Sequence, residues 1–156
     1  MRFVLVDRLL SVESGRRATA CTVFPRDLEI FADHFPGRPI VPGTLLTEAM
    51  GQTAGWLLVS TLQFRQWPLL TTIDQAKFYR LVVPGAEIVI DAAMQSSRPE
   101  DFELQAEARV GGQRVARARF LFRADHLSAD DPDARTLERW ARQTFARLTG
   151  DGCRVS

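Results

Sequence analysis

Apolar and polar residues alternate most regularly in the second half of the chain. Phe102, Leu104, Ala106, Ala108 and Val110 stand on one side of the alternation, Glu103, Gln105, Glu107 and Arg109 on the other. A period of two marks a strand with one dry and one wet face. Gly111-Gly112 turns the chain, and in the return strand Ala116, Ala118, Phe120 and Phe122 take the dry face while Arg117, Arg119 and Arg123 point outward. An antiparallel hairpin is predicted. Shorter runs rich in β-branched or aromatic residues predict strands from Arg2 to Leu10, Ala18 to Phe24, Thr72 to Tyr79 and Glu87 to Met94. Ser14-Gly15 separates the first two, and Val83-Pro84-Gly85 closes the third.

From Gly43 to Phe64 no proline interrupts the chain, and apolar residues such as Leu46, Met50, Leu57 and Leu58 spread round the helical circumference. A helix apolar on nearly all sides belongs inside a fold. A second helix is predicted after Asp130-Asp131-Pro132, which offers capping and first-turn residues. In it Leu137, Trp140, Ala141, Thr144, Phe145 and Leu148 recur at three and four before Gly150. Its single stripe favours packing over partner binding. The expected fold is therefore α+β, an antiparallel β-sheet wrapped around one long central helix with an additional C-terminal amphipathic helix.

A chain of 156 residues, 46% hydrophobic, suits one domain with a real core. The net charge of +1 hides a skew, because Lys77 is the only lysine and the other cations are arginines dispersed along the chain. No basic block for nucleic acid is present. Cys21 and Cys153 lie far apart without a C-x-x-C pattern, so free thiols are expected and no metal site. Charge comes too early after Met1 for a signal sequence, and Glu48 and Gln52 oppose membrane insertion of the apolar stretch; a cytoplasmic location follows.

The chemistry-bearing segment is Asp33-His34-Phe35-Pro36-Gly37-Arg38-Pro39-Ile40-Val41-Pro42-Gly43, in which three prolines and two glycines hold one histidine in turns. It leads into the long helix, where Glu48 is the only carboxylate and forms a polar line with Thr44 and Gln52 at a spacing of four. A carboxyl group among apolar neighbours resists ionising, which suits a general acid. A histidine with one ring nitrogen fixed suits a base. Gly43 at the helix entrance would let a carbonyl oxygen approach free backbone N–H groups and form an oxyanion site.

His34-Phe35-Pro36-Gly37, Pro39, Pro42-Gly43 and Glu48-Ala49-Met50 with Gln52 resemble the active-site motif of FabZ-type 3-hydroxyacyl-acyl carrier protein dehydratases, including the interval of fourteen residues from histidine to carboxylate. Ile73-Asp74-Gln75-Ala76-Lys77-Phe78 and Val82-Val83-Pro84-Gly85 are similar to the strand and turn that follow the family's helix. The resemblance covers roughly residues 1–125, taken as the dehydratase domain, with 126–156 a helical extension of it. It implies a hotdog fold and dehydration of (3R)-3-hydroxyacyl to trans-2-enoyl chains in fatty acid or related lipid or polyene synthesis. The substrate would ride on the phosphopantetheine arm of acyl carrier protein, with no cofactor.

The same resemblance implies a homodimer with shared sites, or a trimer of such dimers. His34 would be the base and Glu48 of the neighbouring subunit the acid. Gly43 would polarise the thioester carbonyl, the Ile40 carbonyl would orient His34, and Gln52, Phe35 and Pro42 would support them. Glutamate at position 48, where isomerising FabA-type relatives carry aspartate, points to dehydration alone. Arg38, Gly51 and Tyr79 depart from the usual pattern.

Plainer readings stand beside these. Glu48 could pair with an arginine, Gln52 could serve a hydrogen-bond network only, and His126 is read as a solvated loop residue. Carrier docking could fall to Arg38, Lys77, Arg80, Arg98, Arg117 or Arg119, although outward arginines on a sheet are more commonly just solvated. The rival functions are a hotdog acyl thioesterase and a catalytically silent dehydratase-like partner subunit.

Overall fold

The computed structural model describes residues 3–126 and 132–156. Strands β1 (Arg8–Glu13) and β2 (Arg17–Val23) come first, then a single helical turn α1 (Ile30–Asp33) and the long helix α2 (Gly43–Thr61). Strands β3 (Gln66–Phe78), β4 (Glu87–Ser97), β5 (Asp101–Val110) and β6 (Gln113–His126) follow, then helix α3 (Pro132–Thr149) and the short β7 (Arg154–Val155). They form one sheet in the order β3-β6-β5-β4-β2-β1-β7. Every pairing is antiparallel except that of β7 with β1.

The sheet wraps α2 as the patterning predicts. Leu46, Met50, Leu57 and Leu58 of the helix, Ile88 and Ile90 of β4, Leu104 of β5 and Phe120 of β6 are all at most 2% exposed. Burying each such side chain contributes about 1.5–3 kcal/mol. The dry face of the β5–β6 hairpin is the one expected, with Phe102, Leu104, Ala106 and Ala108 opposite Phe122, Phe120, Ala118 and Ala116. Glu107 departs from it, being buried on the wet side between Arg109 and Arg114, which both pair with it.

Other differences have local causes. The first strand begins at Arg8, not Arg2, because the preceding backbone is satisfied by a side chain: Leu5 N–H donates to Gln52 Oε1 at 2.8 Å, and Gln52 Nε2 donates to the Phe3 carbonyl at 2.8 Å. Leu5 and Val6 are buried there without joining a ladder. Strand β3 starts six residues earlier than its apolar run suggests. Pro68 obscures it in the sequence, yet is tolerated because β3 is an edge strand. Helix α2 stops at Thr61, three residues early, where Gln63 and Phe64 take positive φ and turn the chain without glycine.

The turn α1, which buries Phe31, and the strand β7 were not foreseen. His126 ends β6 opposite Gln66 and is not a loop residue. Pro132 opens α3 as expected, whereas Asp130 and Asp131 lie outside the described residues. No helix among the described residues is long and apolar enough to cross a membrane. No cluster of three or more His, Cys, Asp or Glu residues among them could hold a metal ion.

Candidate active site

His34 ends α1, its N–H donating to the Ile30 carbonyl at 3.0 Å. From there the chain closes on itself. Phe35 and Arg38 exchange backbone hydrogen bonds of 3.2 and 2.9 Å, with Gly37 between them at φ +72, and Ile40 N–H donates to the His34 carbonyl at 2.9 Å. The His34–Phe35 peptide is cis. Val41 N–H then donates to the Val82 carbonyl at 2.8 Å, tying the loop to the segment after β3.

The His34 ring is held twice. Its Nδ1 lies 2.9 Å from the Ile40 carbonyl, and its face stacks on Phe35 with centroids 4.3 Å apart. A carbonyl can only accept, so Nδ1 carries the proton and Nε2 of the neutral ring is left with a lone pair. That is the tautomer a base requires.

Glu48 lies one turn into α2, half-buried. Gln52 Nε2 donates to its Oε1 at 2.9 Å, while the same amide is fastened to Leu5 and Phe3. Gln52 therefore does both things considered for it, serving a network and fixing Glu48. No ion pair joins Glu48 to an arginine among the described residues. The helix is not enclosed on every side, as its even hydrophobicity suggested. Thr44, Glu48, Gln52 and Gly55 lie along a stripe that the sheet does not cover.

At the head of α2 no side chain caps the helix; Leu45 N–H donates to the Pro42 carbonyl at 3.0 Å, and the N–H groups of Gly43 and Thr44 ahead of it are the ones placed to meet an oxyanion. The reason for glycine at position 43 is also steric. A Cβ there would stand 2.9 Å from the Phe78 ring.

Glu48 opens onto a groove of about 350 Å³ between α2 and the start of β3. Gln52, Gly55 and Trp56 form its floor, Trp67, Leu70 and Phe122 one wall, and Trp140 of α3 another. His34 does not line it. Within one chain the His34 loop and the Glu48 groove are therefore separate features. The groove walls from β3 and β6 escaped the sequence reading, because neither strand's apolar pattern says which helix face it meets.

Of the candidate cations, Arg119 is engaged: its guanidinium bonds Asp74 of β3 and, at 3.2 Å, Glu103 of β5, and the Asp74 contact above all raises its pKa. Arg117 donates to Gln105, and Arg123 to Asp101 at 3.1 Å. Arg38, Lys77 and Arg80 are exposed and form no ion pair among the described residues. Lys77 pairs in register with Arg117, at the end of β3 that abuts Gly43. Arg98 follows β4 at the opposite end, next to Asp101. Cys21 is buried and free, and burial pushes the free Cys153 thiol up.

A family model described as ApeI-like, the ApeI dehydratase, matches residues 11–116. The 3-hydroxyacyl-[acyl-carrier-protein] dehydratase FabZ of Pelotomaculum thermopropionicum is 36% identical over 121 residues, 77% of this chain and 86% of that protein. The solved dehydratase heterocomplex ApeI:P from Xenorhabdus doucetiae superposes with a TM-score of 0.62 at 14% identity, covering 78% of this chain and 82% of that one. A putative thioesterase, yhdA from Lactococcus lactis, superposes with a TM-score of 0.61 at 7% identity over 70% and 83% of the two chains. The protein class is a hotdog-fold acyl thioester enzyme, a fold shared by dehydratases and thioesterases. Within that class, the chain belongs to the 3-hydroxyacyl-acyl carrier protein dehydratases of the FabZ and ApeI-like family.

Proposed function

We propose that two copies of this chain dehydrate (3R)-3-hydroxyacyl-acyl carrier protein to the trans-2-enoyl thioester, with His34 of one copy and Glu48 of the other at each site. The thioester carbonyl accepts hydrogen bonds at the uncapped head of α2, beside Gly43, which acidifies C2. His34 Nε2 takes the C2 proton. The electron pair forms the C2–C3 double bond as the C3–O bond breaks, and protonated Glu48 gives its proton to the departing hydroxyl, which leaves as water. A proton passing from His34 to Glu48 resets the site. No cofactor takes part.

The observation that carries this reading is the bond between His34 Nδ1 and the Ile40 carbonyl, which leaves Nε2 as acceptor. Division of the site between copies is supported by two features. The Glu48 groove lacks His34, and β3 presents an unpaired edge with Leu69, Leu70, Ile73 and Phe78 at least 40% exposed. Carrier docking falls to Arg38, Lys77 and Arg80 beside the His34 loop rather than to Arg119, which is already paired, or Arg98, which is distant. A carrier-linked substrate implies a cytoplasmic setting.

Purified protein given 3-hydroxyacyl-acyl carrier protein should produce enoyl absorbance without releasing free thiol. His34→Ala and Glu48→Gln should each lower kcat by about 100-fold or more with the melting temperature held. Thiol release without enoyl product would assign the chain to the thioesterases instead. Wild-type turnover by folded His34→Ala would remove the base. Charge reversal at Arg38, Lys77 and Arg80 should lower turnover of carrier-linked but not of short pantetheine substrates, and a ratio of the two unchanged from wild type would refute the docking assignment.

A further inference from the structure

All three tryptophans of the chain meet at one place. Trp140 of α3 lies 5.9 Å from Trp56 of α2 and 6.0 Å from Trp67 of β3, centroid to centroid, and all three line the groove that begins at Glu48. Trp140 sits on the apolar stripe of α3 but is 43% exposed, whereas its stripe neighbours Ala141, Thr144 and Leu148 are buried. Its side chain faces the groove and not the core. Phe145 of the same helix packs on Trp56 and Phe64, and Arg142 both covers the Phe64 ring and donates to the Gln63 carbonyl. The helix is thereby fastened over the end of α2, which fixes where Trp140 stands.

Gly55 lies between Glu48 and this cluster. Glycine inside a helix weakens it relative to alanine, and here a Cβ would meet nothing within 4 Å. No packing among the described residues calls for that glycine. It leaves the groove open at the far end of about 12 Å of helix running from Glu48 to Trp56, beside the tryptophan cluster.

Resting on the dehydratase reading, we infer that the groove holds the acyl tail of the substrate and that Trp140, presented by α3, is its end wall and sets the longest tail accepted. Continuity supports this occupant: the polar pair Glu48 and Gln52 stands at one end, where the reacting carbons would lie, and the remaining lining is apolar. An apolar tail continuing from a polar reacting centre fits that order.

The test is a length series of 3-hydroxyacyl-acyl carrier proteins, short to long, on wild type, Trp140→Ala, Gly55→Leu and the outward-facing control Gln143→Ala. Trp140→Ala should raise the long-to-short ratio of kcat/KM at least tenfold. Gly55→Leu should lower it by as much, and Gln143→Ala should leave it unchanged. Tryptophan emission of the wild type should shift with a long saturated acyl-pantetheine and not with a short one, a reading that survives if one variant fails to fold. A wild type that dehydrates the series while both variants keep its profile would overturn the inference and leave the function standing. So would Gly55→Leu dissociating the dimer at an unchanged profile, which would give the groove to a second copy. A wild type inactive on every length would instead strike the dehydratase reading itself.

Discussion

At the scale of single residues, the site depends on side chains held by backbone and backbone held by side chains. His34 has its tautomer set by the Ile40 carbonyl, and Gln52 joins Glu48 to the segment before β1. Gly43 illustrates how closely the parts fit. Its missing Cβ makes room for the ring of Phe78, 2.9 Å from where that carbon would be. Phe78 is half exposed and can turn away, so Gly43→Ala should cost about 1 kcal/mol, the low end for an overpacked contact. It should also slow turnover, because the displaced ring borders the helix head. Thermal unfolding of Gly43→Ala, Phe78→Ala and the double variant checks this: the two changes should be less than additive, and strict additivity would mean that the two residues do not meet.

At the scale of elements, β3 is the part that looks unfinished in one chain. It is thirteen residues long, pairs with β6 at the edge of the sheet, and carries apolar side chains into solvent. Edge strands of soluble proteins are normally short, charged or covered, and in the dimer proposed above the same strand of a second copy would cover it. Ile73→Lys should therefore convert a dimer to a monomer in sedimentation at matched concentration and reduce dehydration with it. An unchanged mass would place the interface elsewhere. At the other edge β7 lies parallel to β1, and α3 bridges from there to the far end of α2 through Phe145 and Arg142.

At the scale of the whole molecule, the proposed division of the site between two copies makes a prediction that no single-chain site can imitate. His34→Ala and Glu48→Gln, each inactive alone, should regain activity when mixed under conditions that let subunits exchange. Random pairing makes half the dimers mixed, and each mixed dimer has one intact site of two, so about a quarter of wild-type activity should return. Recovery well below that after full exchange, checked by a mass-tagged subunit, would show that both groups act from one chain.

Much of this was legible in the residues alone. The alternation of β5 and β6 and the apolar girth of α2 follow from local periodicity, which burial imposes directly. The interval from His34 to Glu48 is likewise local, one rigid loop followed by a turn of helix. The start of β1 was not legible, because a glutamine 47 residues away from Leu5 replaces its ladder. Nor were the early start of β3, which depends on its being an edge, or the burial of Glu107 between Arg109 and Arg114. Periodicity shows that a residue faces something; only the closed sheet decides what it faces. The residues by themselves thus determined most of the elements and nominated His34 and Glu48 as the reacting groups, while tertiary structure decided that Trp140 meets the groove of Glu48 and that His34 stands outside it, since both depend on contacts between segments far apart in the chain.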